Sequence, residues 1–197
     1  MQEAASNLPD INARIGKRVH ELRRRLGLTL DELAAKSGVS RSMLSLIERG
    51  QSSPSAVVLD KIASGLGVTL ALLFPGASET ANPLSRPAER TAWRDPASGY
   101  IRRNISSPSF PSPFQIVEVI LPAGAKVAYE TASPDGAIHQ QIWVRDGSID
   151  VALGDVTYRL AKDDCLSMQL VEPTTFFNPT RRRARYVVVV GTERWRA

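Results

Sequence analysis

Arg41, Ser42, Met43 and Ser45 open a short helical pattern, and their side chains are candidates to meet the edges of base pairs. The planar guanidinium of Arg41 can bond guanine through two parallel hydrogen bonds, worth about 1–3 kcal/mol of discrimination. Arg41 and Ser42 lead as readers, with Met43 and Ser45 next. The plainer alternative for Arg41 is a phosphate contact, which would hold a duplex without reading it. Thr29 and Ser40 stand where two helices begin. There the free backbone N–H groups and the helix dipole favour a phosphate. Arg49, Gln51 and Ser53 follow the second of these helices and are further candidates for backbone contact.

Those side chains depend on two helices and a tight turn between residues 29 and 49. Thr29 and Glu32 have the spacing of a capping box. Leu30, Leu33 and Ala34 fall on one face, and Gly38 stands where the chain must reverse through a left-handed conformation. Ser40 caps the second helix, whose buried stripe is Leu44 and Ile47. Upstream, Ile11, Ile15, Val19, Leu22 and Leu26 recur at the three- and four-residue spacings of an amphipathic helix. A helical hairpin with a solvated polar face is the alternative that asks least of these residues. The flanking residues argue against it.

Residues 15–74 closely resemble the lambda-repressor-like, XRE-type helix-turn-helix domain. The resemblance is carried by Ile15, Leu22, Arg23, Gly27-Leu28-Thr29, Leu33-Ala34, Gly38-Val39-Ser40 and Ile47-Glu48-Arg49-Gly50. Pro54, Leu59, Ile62-Ala63 and Leu66-Gly67-Val68 complete it. It implies a five-helix domain over 10–74, with helices near 10–26, 29–36, 40–48, 55–66 and 69–73. It also implies an ion pair between Arg23 and Glu48, and a transcriptional regulator that binds double-stranded operator DNA; the second domain is expected to join two copies as a homodimer. Leu30 stands where many relatives carry a glutamine.

The chain of 197 residues is long enough for two modest domains. Its net charge of +5 permits nucleic-acid binding without arguing for it. A single cysteine, Cys165, excludes an intramolecular disulfide framework and suits a reducing cytosol. It lies in an apolar alternating run and is expected to be a small buried hydrophobe. No signal peptide or membrane-length apolar run is evident, so a cytoplasmic protein without membrane contact is expected.

Residues 75–91, rich in proline and small polar residues, read as a linker. From Ala92 to Ala197 the hydrophobic period is two. Strands are expected at 100–105, 114–121, 126–131, 138–144, 148–153, 156–160, 165–170, 174–178 and 185–191, separated by glycine- and proline-bearing turns. The pieces Leu121-Pro-Ala-Gly-Ala, Trp143-Val-Arg-Asp-Gly-Ser-Ile, Tyr158-Arg-Leu-Ala-Lys-Asp-Asp and Phe176-Phe-Asn-Pro resemble a cupin, a double-stranded β-helix or jelly-roll barrel. The chain is thus expected to be a multidomain protein, α-helical at its amino end and all-β at its carboxyl end.

Metal-binding cupins supply two histidines, a glutamate and a later histidine. This chain offers Gln140 at the glutamate position, Thr174 at the late histidine position and no histidine in the preceding stretch; Asp163 replaces a usual glycine. No metal or cofactor is therefore expected. Tyr129, Gln140, Ile142, Gln169, Thr174 and Phe176 form a candidate pocket for a small-molecule effector. A filled structural core is the alternative. Trp143, on the outer face, is a candidate for a dimer interface, and Arg181-Arg-Arg-Ala-Arg185 a solvated turn. The barrel could instead be an enzyme with an accessory DNA-binding domain, or a purely structural dimerisation module. No catalytic residue is identified for the first of these.

Overall fold

A computed structural model describes residues 11–74, 82–107, 110, 112–130 and 138–192. Four α-helices open it: α1 (Ile11–Arg25), α2 (Leu30–Ser37), α3 (Arg41–Glu48) and α4 (Ala56–Gly65). The expected fifth helix is instead a single 3-10 turn, Leu70–Leu73. Thr69 gives it no side-chain cap, and Phe74 is already extended. Four residues are too few to build an i→i−4 ladder, so the chain closes i→i−3 bonds, Leu72 to Thr69 and Phe74 to Ala71. Leu26, expected on the buried stripe of α1, lies beyond the end of the helix and is half exposed. The stripe that remains, Ile15, Val19 and Leu22, packs with Leu33, Leu44, Ile47, Leu59 and Ile62. Burying each such side chain contributes about 1.5–3 kcal/mol.

Among the described residues ten strands follow: β1 (Ala92–Arg94), β2 (Ile101–Asn104), β3 (Phe114–Leu121), β4 (Lys126–Tyr129), β5 (Ile138–Asp146), β6 (Ile149–Leu153), β7 (Val156–Leu160), β8 (Cys165–Gln169), β9 (Thr174–Phe177) and β10 (Ala184–Thr192). They form a six-stranded sheet, β1-β2-β3-β10-β5-β8, and a four-stranded sheet, β4-β9-β6-β7, with antiparallel pairing throughout. Along β3, β5 and β10 side chains alternate between core and outer face as strand geometry requires, whereas the edge strand β7 is exposed up to Leu160. Val117, Val119, Ile142, Val144, Tyr186, Val188, Val151 and Phe176 are buried. Asn178, fully buried, ties the turn after β9 by donating to the carbonyls of Leu121, Pro122 and Arg182. Arg181, Arg182 and Arg183 are exposed on that turn.

Two sequence expectations for β8 are corrected. Its register against β5 sets Met168 opposite Gln140 and Leu166 opposite Ile142, which turns Cys165, Ser167 and Gln169 outward. Cys165 is therefore exposed rather than buried. Gln169 is exposed as well, beside His139 at 3.5 Å, and cannot line the barrel interior.

The helical head and the barrel share a seam. Of the linker segment 75–91, residues 82–91 are described and include a 3-10 turn, Pro87–Glu89; 75–81 lie outside the described residues. Asp95 Oδ1 accepts the Ala56 N–H at 2.9 Å, so a barrel carboxylate serves the first turn of α4. Trp93 Nε1 donates to Asn12 Oδ1 at 3.3 Å, and Arg14 to Thr91 Oγ1 at 3.2 Å. Phe74 packs edge-on against Trp93, with ring centroids 5.3 Å apart. Lys61 pairs with Glu130 at 3.3 Å.

Candidate nucleic-acid interface and barrel interior

Local chemistry fixes both helices of the turn. The Glu32 N–H donates to Thr29 Oγ1 at 3.1 Å, while Glu32 Oε2 accepts the Thr29 N–H at 2.7 Å, forming a reciprocal capping box. Gly38 closes α2 with φ 67° and donates to the Ala34 carbonyl. An alanine there would have to adopt the left-handed region. Ser40 Oγ accepts the Met43 N–H at 3.3 Å and starts α3.

On α3, Leu44 and Ile47 face inward, whereas Arg41, Ser42 and Met43 are exposed. Ser45 is half-buried, and its hydroxyl accepts from Arg49 Nη1 at 2.7 Å. Arg49 Nε also donates to Gln51 Oε1 at 2.8 Å, so Ser45, Arg49 and Gln51 form one cluster at the end of the helix. Ser53 accepts from Asn12 Nδ2 at 3.1 Å.

Arg41 already has a partner: its Nε lies 3.2 Å from Asp31 Oδ1 on α2. Both side chains are largely exposed, so the pair adds little to stability. Asp31 nevertheless competes with any base or phosphate for this guanidinium. Asp31→Asn is expected to raise duplex affinity about two- to fivefold at fixed salt, by removing both the competitor and a charge repelled by phosphate. Titration of a fluorescent operator would measure it, and equal or weaker binding would contradict it.

Behind the reading face, Glu48 at the end of α3 is gripped by α1. Arg23 donates from Nε to Glu48 Oε1 at 2.6 Å and from Nη2 to Oε2 at 2.7 Å, a two-pronged pair. A third member, His20, places Nδ1 2.7 Å from Glu48 Oε2; the sequence reading did not include it. Three residues before Arg23, His20 projects from the same helical face, and that spacing was the available signal. Arg23 also donates to the Leu28 carbonyl at 2.8 Å. Burial opposes the charge on Glu48, but hydrogen bonds from Arg23 and His20 outweigh it and hold the carboxyl below its usual range.

Inside the barrel, Tyr129, Gln140, Ile142, Thr174 and Phe176 stand on inward-facing positions of β4, β5 and β9. Two tyrosines that sequence reasoning passed over join them. Tyr186 stacks on Phe176 with centroids 5.8 Å apart, and the Tyr100 hydroxyl lies 3.3 Å from that of Tyr129. Tyr186 was legible from its alternation with Val188 and Val190, whereas Tyr100 precedes its strand. Burial drives the phenols of Tyr100, Tyr129 and Tyr186 upward, so all three are neutral donors. Gln140 and Thr174 present an amide and a hydroxyl where a transition metal requires imidazole, thiolate or carboxylate, so these residues do not fit one. Among the described residues no three His, Cys, Asp or Glu side chains converge as a metal site.

Residues 19–73 match the helix-turn-helix family HTH_3. The chain is 38% identical over 71 residues to the HTH-type transcriptional regulator y4dJ of Sinorhizobium fredii, covering 36% of this chain and 92% of that one. It is 42% identical over 67 residues to the regulator SinR of Bacillus subtilis, covering 34% of this chain and 60% of SinR. A crystal structure of an HTH_3 family transcriptional regulator from Vibrio cholerae superimposes with a TM-score of 0.75 at 25% identity, covering 93% of this chain and 98% of the other. The curated relatives thus align with the helical head, and the Vibrio structure aligns with head and barrel together. A capped, outward-facing helix on a head of this ancestry establishes what the molecule is: the chain belongs to the HTH_3, XRE-type family of DNA-binding transcriptional regulators.

Proposed function

We propose that residues 10–74 read a specific operator through Arg41, Ser42 and Met43, and that the barrel over 92–197 pairs two copies and senses a small effector. The observation that carries this reading is the exposure of those three side chains on a helix whose opposite end is clamped by Arg23 and His20. Thr29, Ser40, Arg49, Gln51 and Ser53 ring that face and serve phosphate contact. Ser45, held by Arg49, supports the ring rather than reaching a base.

Pairing is supported by the outer face of the six-stranded sheet. There Phe114, Ile116 and Trp143 are exposed at 59%, 37% and 40%, an apolar surface of the kind that marks an interface. A homodimer would set two α3 helices on half-sites about 34 Å apart. The inward tyrosines, Gln140 and Thr174 give the barrel polar tips among apolar walls, as an effector site needs. We read the barrel as a sensor rather than an enzyme, because Gln140 and Thr174 stand where metal chemistry would need stronger ligands, and we place the protein in the cytoplasm beside its DNA. No described helix is long and apolar enough to cross a membrane.

The test is selection of bound sites from random duplex by the full chain, repeated with Arg41→Ala. The variant is expected to lose about 1–3 kcal/mol at one base position while keeping its preferences elsewhere. A uniform loss on all sequences would make Arg41 a phosphate contact. Absence of any preferred site would end the operator reading.

A further inference from the structure

Two polar side-chain atoms on β2, Nε of Arg102 and Oδ1 of Asn104, are buried without a hydrogen-bond partner among the described residues. Such atoms are rare in native folds, and each raises the question of what satisfies it. Arg102 is only 7% exposed. Its register partners are Trp93 on β1 and Val119 on β3, both buried, so it projects from the inner face of the sheet where head and barrel meet. The guanidinium lies over the Phe74 ring, 5.0 Å from its centroid. Its charge also acts on the phenols of Tyr100, Tyr129 and Tyr186 and on Asp60 of α4.

That setting leaves a buried cation poorly balanced. Burial pushes the Asp60 carboxyl up to about 7 against the pull of Arg102, which weakens it as a countercharge. Asp95, the other carboxylate of the network, is committed to the Ala56 N–H and to the N–H and hydroxyl of Ser98. A withdrawn guanidinium is costly unless its donors are satisfied; its fork matches carboxylate and phosphate oxygens, and the aromatic surroundings here favour the less strongly hydrated carboxylate.

We propose that Arg102 anchors the barrel's effector, and that this effector is a small carboxylate with an apolar or aromatic body. The inference rests on the effector reading above. The carboxylate accepts from Arg102 Nε and from neutral phenols, while Phe74, Trp93 and Phe176 supply apolar walls. Asn104, two residues along β2, donates to the Ala71 and Phe74 carbonyls in the last turn of the head. One strand therefore carries both the anchor and a clamp on the head. A ligand that draws the guanidinium away from Phe74 and Asp60 changes how firmly the head is held. Control of DNA binding follows to the extent that the ligand's affinity differs between the two arrangements.

The experiment uses the full chain with benzoate, phenylacetate and hexanoate, each against its neutral amide: benzamide, phenylacetamide and hexanamide. Concentrations reach about 10 mM, because fragments of this size bind weakly. Calorimetry and thermal shift are expected to show saturable binding of at least one acid, at least about tenfold tighter than its amide. R102Q is expected to erase that preference. R102K, which keeps the charge without the fork, is expected to retain a weakened one, and it decides the matter if R102Q fails to fold. Equal binding of acid and amide would overturn the carboxylate while leaving a neutral effector site standing, and a preference that survives R102Q would overturn Arg102 as its anchor. If no acid or amide binds, both readings fall and the orphaned atoms hold water.

Discussion

Glu48→Ala is expected to destabilise the helical head by about 3–5 kcal/mol, the range for removing one partner from a buried ion pair. Both side chains of the Arg23–Glu48 pair are only 8% exposed, so water cannot replace the lost carboxylate. Arg23 would keep its bond to the Leu28 carbonyl but lose both prongs to Glu48. His20 would lose its acceptor too. Glu48→Gln should cost less, because an amide oxygen can still accept one of the donors. Urea denaturation of the full chain would measure both, and an unchanged midpoint for Glu48→Ala would refute the clamp. Acidity supplies a second reading. Folding depresses the Glu48 carboxyl, so its contribution is complete above the ordinary carboxylate range near 4.3 and fades as pH falls through the lower folded value. The gap between wild type and Glu48→Ala should therefore narrow in acid.

Most of the reading head was legible because its signals are local. Thr29 and Glu32, Gly38 and Ser40 declare caps and a turn within a few residues, and the structure places each in that role. Strands β2 to β10 were legible for the same reason: a period of two survives even where the ends slip by a residue or two, whereas β1, three residues long, is too short to show a period and was not expected. Cys165 and Gln169 show where this stops. Alternation fixes which residues share a face, but pairing decides which face is inside, and the partner strand β5 lies some twenty residues away. The 3-10 turn at Leu70–Leu73 shows the converse, because a resemblance supplied a helix that four residues cannot sustain. The seam left no trace in sequence. Trp93, Asp95, Arg102 and Asn104 belong to no repeating pattern, and each finds its partner more than twenty residues away. A segment that composition marks as a linker thus joins two bodies that hold each other directly.

The same α1–α3 contact offers a sharper test of how the reading helix is placed. Gly16→Ala is expected to destabilise the head by about 2 kcal/mol or more, although alanine is the better helix former by about 1 kcal/mol. Gly16 is buried on α1, and a Cβ there would collide with the Ile47 carbonyl oxygen. Within reach it would also meet the Ile47 carbonyl carbon at 3.1 Å and the Glu48 carbonyl oxygen at 3.2 Å. All three are backbone atoms, so no side chain can turn aside, and α3 must move away from α1. Because propensity favours the substitution, any loss is a lower bound on the cost of the contact; a neutral or stabilising result would show that α1 and α3 are looser than they stand here. Operator affinity should fall further than the lost stability accounts for, since the displaced end belongs to the helix that carries Arg41 and Ser42. Gly16 and the Arg23–Glu48 clamp both act on Glu48 of α3, so their effects should not add. Once Gly16→Ala has pushed Glu48 away from Arg23, removing its carboxylate costs less, and the double variant should lose less than the two single changes together.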